Sequence, residues 1–150
     1  MDWIETYLFN PYLLTSLSCW MTAQLIKLIT NLIIHKRFVW ERLFGDGGMP
    51  SGHSATVTSL ATIIGLMEGF TSPLFAIATV LAVVVCHDAM GVRQETGKQA
   101  MMLNEIIRIL DKDELPEVKL KELVGHTPLQ VLAGIILGIG GACFMYFVVL

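Results

Sequence analysis

The sequence predicts an all-α fold: an integral membrane helical bundle with about four spans and a cytoplasmic amphipathic helical segment, with residues 1–150 forming a single membrane domain. Three observations lead there. Hydrophobic residues make up 54% of the 150-residue chain and the mean hydropathy is +0.65, above the range of ordinary soluble domains. Charged residues make up only 15%, against roughly a quarter in soluble domains. The apolar residues also gather into runs close to the ~20 residues that a spanning helix needs.

The first run, Pro11 to Ile34, reads "PYLLTSLSCWMTAQLIKLITNLII" and holds Lys27 as its single charge. The second, Ser54 to Phe70, is broken only by Glu68 near its far end, and the third, Pro73 to about Met90, closes on His87 and Asp88. The fourth, Pro128 to Leu150, carries no charge. The opening "MDWIETY" is acidic and no small-residue cleavage site follows the first run, so a signal peptide is not expected. Cys19, Cys86 and Cys143 all fall within spans, without metal-type spacing, and read as small buried residues with no disulfide framework.

Apart from Lys27, the basic residues occupy two segments. Lys36, Arg37 and Arg42 precede the second span, and Arg93, Lys98, Arg108, Lys112, Lys119 and Lys121 lie between the third and fourth. Two spans separate these segments, so they share one side, which the positive-inside rule makes the cytoplasm. The net charge of -3 carries little weight, because orientation follows Lys and Arg. No nucleic-acid partner is expected. Lys98 to Asp111, "KQAMMLNEIIRILD", places Ala100, Leu103, Ile106, Ile107 and Leu110 at helical spacing, with Asn104, Glu105 and Arg108 on the other face. It reads as an amphipathic helix on the cytoplasmic surface, and "DKDELPEVKLKELVGH" after it reads as a second short helix. Gly134, Gly138 and Ala142 form a small-residue stripe that suits close helix packing, either within the chain or in a homodimer.

Three polar clusters interrupt the apolar pattern: "GGMPSGHSAT" at 47–56, "HDAMGVRQETG" at 87–97 and "GHTPLQ" at 125–130. Each lies at the cytoplasmic end of a span, so topology allows them to converge. A helix starting near Ser51 aims its free N–H groups and positive dipole end at the cytoplasm, which favours a bound phosphate or other anion. Gly47, Gly48 and Gly52 permit unusual backbone geometry there and Pro50 suits a helix start; a plain loop with Ser51 as a cap explains the same residues. Gln130, four residues after His126, is placed to orient the imidazole if the helix already holds at His126. Arg93 offers a planar donor fork for phosphate oxygens. Lys27 lies seven residues inside the end of its span, where a lysine faces a polar interior unless it snorkels. Asp88 is a salt-bridge partner for Arg93 or Lys27, or a carboxylate that orients a histidine. Glu68, at the opposite membrane edge, is expected to face water.

"PSGH" at 50–53, followed much later by a histidine at a helix start, resembles the superfamily of type 2 phosphatidic acid phosphatases and vanadium haloperoxidases. More closely, "QLIK" at 24–27, "GGMPSGHSA" at 47–55, "DAMGVR" with "GKQAMMLN" at 88–104 and "GHTPLQVLAG" at 125–134 are similar to the divergent membrane branch of that superfamily. The resemblance implies that His126 is the nucleophile that forms a phosphohistidine and His53 the general acid. It also implies that Ser51 and the Gly52 N–H hold phosphate oxygens while Arg93 and Lys27 neutralise charge. The chain departs from the superfamily at three places. Ile34 stands where an arginine follows the lysine by seven positions, Val124 and Gly125 replace the serine-arginine pair ahead of the nucleophile, and Gln130 replaces a carboxylate four residues after it.

The expectation is a lipid phosphatase of phospholipid metabolism, acting at the cytoplasmic edge of a bacterial plasma membrane on a phosphate monoester or diphosphate of a membrane lipid. No cofactor is expected. The competing reading is a noncatalytic membrane protein that uses the same site to bind an anionic headgroup or a partner. A metal site from His53, His87, His126 and Asp88 matches no compact ligand spacing, and no metal is expected.

Overall fold

The structure, a computed structural model, describes residues 10–36, 48–109, 120 and 125–150. In chain order the described helices are α1 (Pro11–His35), α2 (Gly52–Glu68), α3 (Pro73–Met90), α4 (Val92–Ile109) and α5 (Pro128–Phe144), with a π-helical turn at Met145–Val149. The four apolar helices all begin at a capping side chain. Asn10 accepts from the Tyr12 and Leu13 N–H groups, Ser51 from Ser54, Ser72 from Phe75 and Thr127 from Gln130. Proline opens α1, α3 and α5. These caps occupy donors that helical hydrogen bonding leaves unpaired, a need sharpened where water is scarce.

Three contacts fix the directions of the helices. The Tyr12 hydroxyl donates to the Glu68 carboxylate, joining the start of α1 to the end of α2, so Glu68 has a protein partner at the edge where water alone was expected. The Ser51 N–H donates to the Gln130 carbonyl at 2.9 Å, joining the starts of α2 and α5. The His126 N–H donates to the Ala89 carbonyl at 2.9 Å, joining the entry to α5 with the last turn of α3. Thus α1 and α3 run one way and α2 and α5 the other. Helix α2 is central and packs on α1, α3 and α5.

The interior is built from small residues and the surface from large ones. Ala23, Ala55, Ser54, Ser59, Gly134, Gly138 and Ala142 are buried, while Leu17, Ile33, Ile77, Val80 and Ile136 are exposed. Helices packed in lipid gain little by hiding leucine from an equally apolar solvent, so close backbone approach holds them together. The small-residue stripe of α5 shows this directly. A Cβ on Gly134 would lie 2.5 Å from the Ser51 carbonyl oxygen, and one on Gly138 2.6 Å from that of Ala55. That stripe is occupied by α2 of the same chain. A small apolar cluster of Cys86, Ala89 and Val131, with Val57, Met90 and Ile135 around it, closes the interior at the end nearer Ser51.

Among the described residues, three stretches are long and apolar enough to cross a membrane: Pro11–Ile34, Pro73–Ile109 and Pro128–Val149. Helix α2, at 17 residues, stands at the short limit of about 17 that a span tolerates. The structure is an all-α membrane bundle, with α2 sheltered among its three partners.

Helix α4 begins at Val92, six residues before the helix expected at Lys98, and continues from α3 almost without a break. Gly91 donates to the His87 carbonyl and accepts from Glu95, so helical hydrogen bonding crosses the junction. Gly97 and Ala100 are buried and Asn104 is half-buried, whereas Leu103 and Ile106 are exposed. The Asn104 amide donates to the Leu120 carbonyl at 2.9 Å and accepts from the Leu120 N–H at 3.0 Å, a tie that periodicity could not reveal. The second short helix expected after Asp111, like Gly47, Arg37 and Arg42, lies outside the described residues.

Candidate functional site

All three polar clusters meet at one end of the bundle. In the first, Met49–Pro50 is a cis peptide and Ser51 caps α2, its hydroxyl oxygen accepting from the Ser54 N–H at 3.3 Å and the Ser54 hydroxyl at 2.9 Å. Ser51 is fully buried. Its hydroxyl hydrogen is not used by those two bonds. The Gly52 N–H stands in the first turn, where a helix offers it no acceptor of its own. His53 is exposed on the first turn of α2.

Helix α1 brings two polar side chains to this level. Lys27 is 8% exposed, and its stem runs against Gly48, where an added Cβ would lie 3.8 Å from the lysine Cγ and Cδ. Lys27 therefore turns inward instead of snorkelling to the helix end. One turn earlier, Gln24 is 5% exposed and its Oε1 has no hydrogen-bond partner. That oxygen lies 3.8 Å from where a Cβ on Gly52 would be, with Trp20 alongside. An unpaired buried amide oxygen is costly unless something else supplies a donor.

His126 is the most enclosed of the titratable site residues, at 3% exposure. Its Nδ1 lies 3.2 Å from Gln130 Oε1. The same oxygen accepts from the Thr127 N–H at 3.1 Å. A backbone N–H can only donate, so the amide must present oxygen here, and Nδ1 must carry the hydrogen it shares with Gln130. The neutral imidazole is thus held with its lone pair on Nε2. Thr127 and Gln130 form a capping box, so one glutamine both closes the helix start and sets the tautomer.

Arg93 Nε binds Asp88 Oδ2 at 2.8 Å, with both side chains about two-fifths exposed. Of the alternatives for Asp88, the structure realises the salt bridge to Arg93. Gly125 positions Arg93 relative to His126. Its φ is +90°, and a Cβ there would lie 2.6 Å from the Gln94 nitrogen and 2.8 Å from the Arg93 carbonyl carbon. Only glycine satisfies both conditions. His126 is consequently pinned to the α3–α4 junction from two sides, by Gly125 and by its own N–H on Ala89.

Residues 8–140 match the sequence profile of the Divergent PAP2 family. The chain belongs to the Divergent PAP2 family. It is also 38% identical over 144 residues to the "Uncharacterized membrane protein YuiD" of Bacillus subtilis (strain 168), covering 88% of this chain and 91% of that protein. No solved structure matches.

In this member of the Divergent PAP2 family, the expected site residues gather from α1, the start of α2, the α3–α4 junction and the entry to α5. Ser51, Gly52 and His53 lie on α2, Lys27 on α1, Asp88 and Arg93 across the α3–α4 junction, and His126 and Gln130 at the start of α5. Three contributors escaped the sequence reading: Gln24, Gly125 and the Ala89 carbonyl. Gln24 shares the "QLIK" string with Lys27 and Gly125 immediately precedes His126, so the signals were adjacent to residues already singled out. Ala89 left no signal, because it acts through its backbone.

Proposed function

We propose that this Divergent PAP2 family protein is a membrane phosphatase that hydrolyses a phosphate monoester or diphosphate of a lipid at the cytoplasmic edge. The observation that carries the reading is the fixed tautomer of His126, buried beside the start of α2 with its lone pair on Nε2.

The chemistry follows from the residue types. The Nε2 lone pair attacks phosphorus while the bond to the lipid oxygen breaks, and His53 gives that oxygen a proton. The product is a phosphohistidine and a free lipid hydroxyl (or, from a diphosphate, a lipid monophosphate). Water, yielding its proton to His53, then attacks phosphorus, the P–N bond breaks and both histidines return to their starting state. Charge on the phosphoryl oxygens is met by Lys27, Arg93, the Ser51 hydroxyl and the Gly52 N–H at the positive end of α2. Asp88 holds the Arg93 guanidinium, and Gln130 holds the nucleophile.

A second reading has its own support. Gln130, not a carboxylate, faces His126 Nδ1, and Asp88 is committed to Arg93. An amide raises imidazole basicity less than a carboxylate would, which suits a noncatalytic protein that binds an anionic headgroup. Phosphate release from a panel of phospholipid and polyprenyl phosphates separates the two. Release that disappears in His126→Ala supports the enzyme; no release from folded protein in bilayers, with saturable lipid binding that survives the substitution, supports the binding protein.

A further inference from the structure

An apolar groove of about 700 Å³ runs between α2, α3 and α5, within the ~300–1,000 Å³ of small-molecule sites. Cys86, His87 and Met90 line its end nearer the catalytic residues. Phe70 and Phe75 line the other end, their rings edge to face at 5.2 Å. These rings sit over Gly65, where a Cβ would come within 2.6 Å of Phe70. From Phe75 to Met90 the groove follows α3 for about 22 Å at ~1.5 Å per residue. That exceeds the ~15 Å that one leaflet contributes to a ~30 Å hydrocarbon core. Val83 and Ile139 on its rim are exposed, so it opens sideways along the spanning helices.

The groove ends within one turn of α3 from the residue that tethers His126. Ala89, whose carbonyl holds the His126 N–H, sits between the lining residues Cys86 and Met90 on the same turn of α3. A headgroup at His126 thus places its hydrocarbon chain beside the apolar end of the groove.

We propose that this groove holds one long hydrocarbon chain of the lipid phosphate, entering laterally from the bilayer; the inference rests on the phosphatase reading above. Its physical role is positioning. A chain that leaves lipid for an apolar groove gains little hydrophobic free energy, because both surroundings are oily. What shape-matched walls supply is orientation, so that contacts remote from phosphorus hold the headgroup in line with Nε2. Chain length should therefore be read in turnover as well as in affinity.

The test uses full-length protein in phosphatidylcholine vesicles, with dioleoyl and dihexanoyl phosphatidic acid as probes. Ala82→Trp fills the groove from its wall, and Val83→Trp reaches over it from the exposed rim, where folding is not at risk. The expected result is that wild type favours the long-chain probe and that both variants lower its kcat/KM about tenfold, with the short-chain probe changed less than about twofold. Equal loss on both probes, or no loss on either, overturns the tail site while leaving the phosphatase reading intact. A phosphatidic acid with a diazirine at its chain end gives a readout that needs no turnover. Crosslinks concentrated on Thr62, Leu66 and Thr79 and lost in Ala82→Trp support the groove even if no phosphate is released, a result that would remove the phosphatase reading alone. Labelling spread evenly over outward residues such as Leu17 and Ile136, and unchanged in the variants, overturns it.

Discussion

The Ser51 N–H donates to the Gln130 carbonyl at 2.9 Å, so the cap of α2 and the first turn of α5 are one unit. The residue that contacts His126 through its side chain thereby sets the offset of α2 through its backbone. Anything that separates α2 from α5 should disturb both halves of the site together.

Gly134→Ala and Gly138→Ala provide that separation. Each Cβ would meet a carbonyl oxygen, at 2.5 Å and 2.6 Å, and backbone cannot step aside as a side-chain tip can. Each substitution should cost about 1–3 kcal/mol of stability as an overpacked contact and reduce phosphate release. Gly140→Ala, on the same helix with nothing within 4 Å, should be neutral or stabilising by up to ~1 kcal/mol, because alanine is the better helix former. Thermal unfolding in detergent checks the opposite signs, and a lowered midpoint for Gly140→Ala would refute the packing account.

Gln130→Glu should preserve the capping box, which accepts either side chain, while placing a negative charge at His126 Nδ1. The added charge favours the imidazolium over the neutral nucleophile, so the acidic limb of the rate profile should move to higher pH. Gln130→Leu removes both functions and should lower turnover at every pH. A profile for Gln130→Glu that coincides with wild type would show that Nδ1 does not govern the reaction.

Gln24→Met separates structure from function at a buried, unpaired oxygen. If Oε1 serves only packing, its removal relieves an unsatisfied group and stability stays level or rises by about 1 kcal/mol. We expect that stability result together with a raised KM, because the oxygen lies beside Gly52 at the start of α2, where it can accept from a hydroxyl of the bound ester. Unchanged kinetics would confine Gln24 to a structural part.

Asp88→Asn tests which role the carboxylate plays. Its pair with Arg93 is about two-fifths exposed on both sides, so the stability change should stay under about 1 kcal/mol. As a holder of Arg93, Asp88 should affect KM several-fold and kcat little. A fall in kcat of orders of magnitude with KM unchanged would instead assign it to a histidine.

The sequence by itself determined the class of molecule and marked out the candidate site residues. Apolar runs of spanning length, scarce charge and proline or hydroxyl caps at the starts of the runs are local or compositional properties, and local structure follows from them without knowledge of neighbours. His126, Gln130, Ser51 and Lys27 stood out because polar groups are conspicuous in an oily chain. Tertiary structure decided what those groups face. Lys27 could have snorkelled, yet it is buried with its stem beside Gly48, and Asn104 pairs with the Leu120 backbone. The partner of the Gly134 stripe, the tether from Ala89 to His126 and the unpaired oxygen of Gln24 depend on backbone atoms or on side chains distant in sequence. Periodicity reports which residues share a face of one helix; which face meets which neighbour is settled only when the backbones approach closely enough for single atoms to decide.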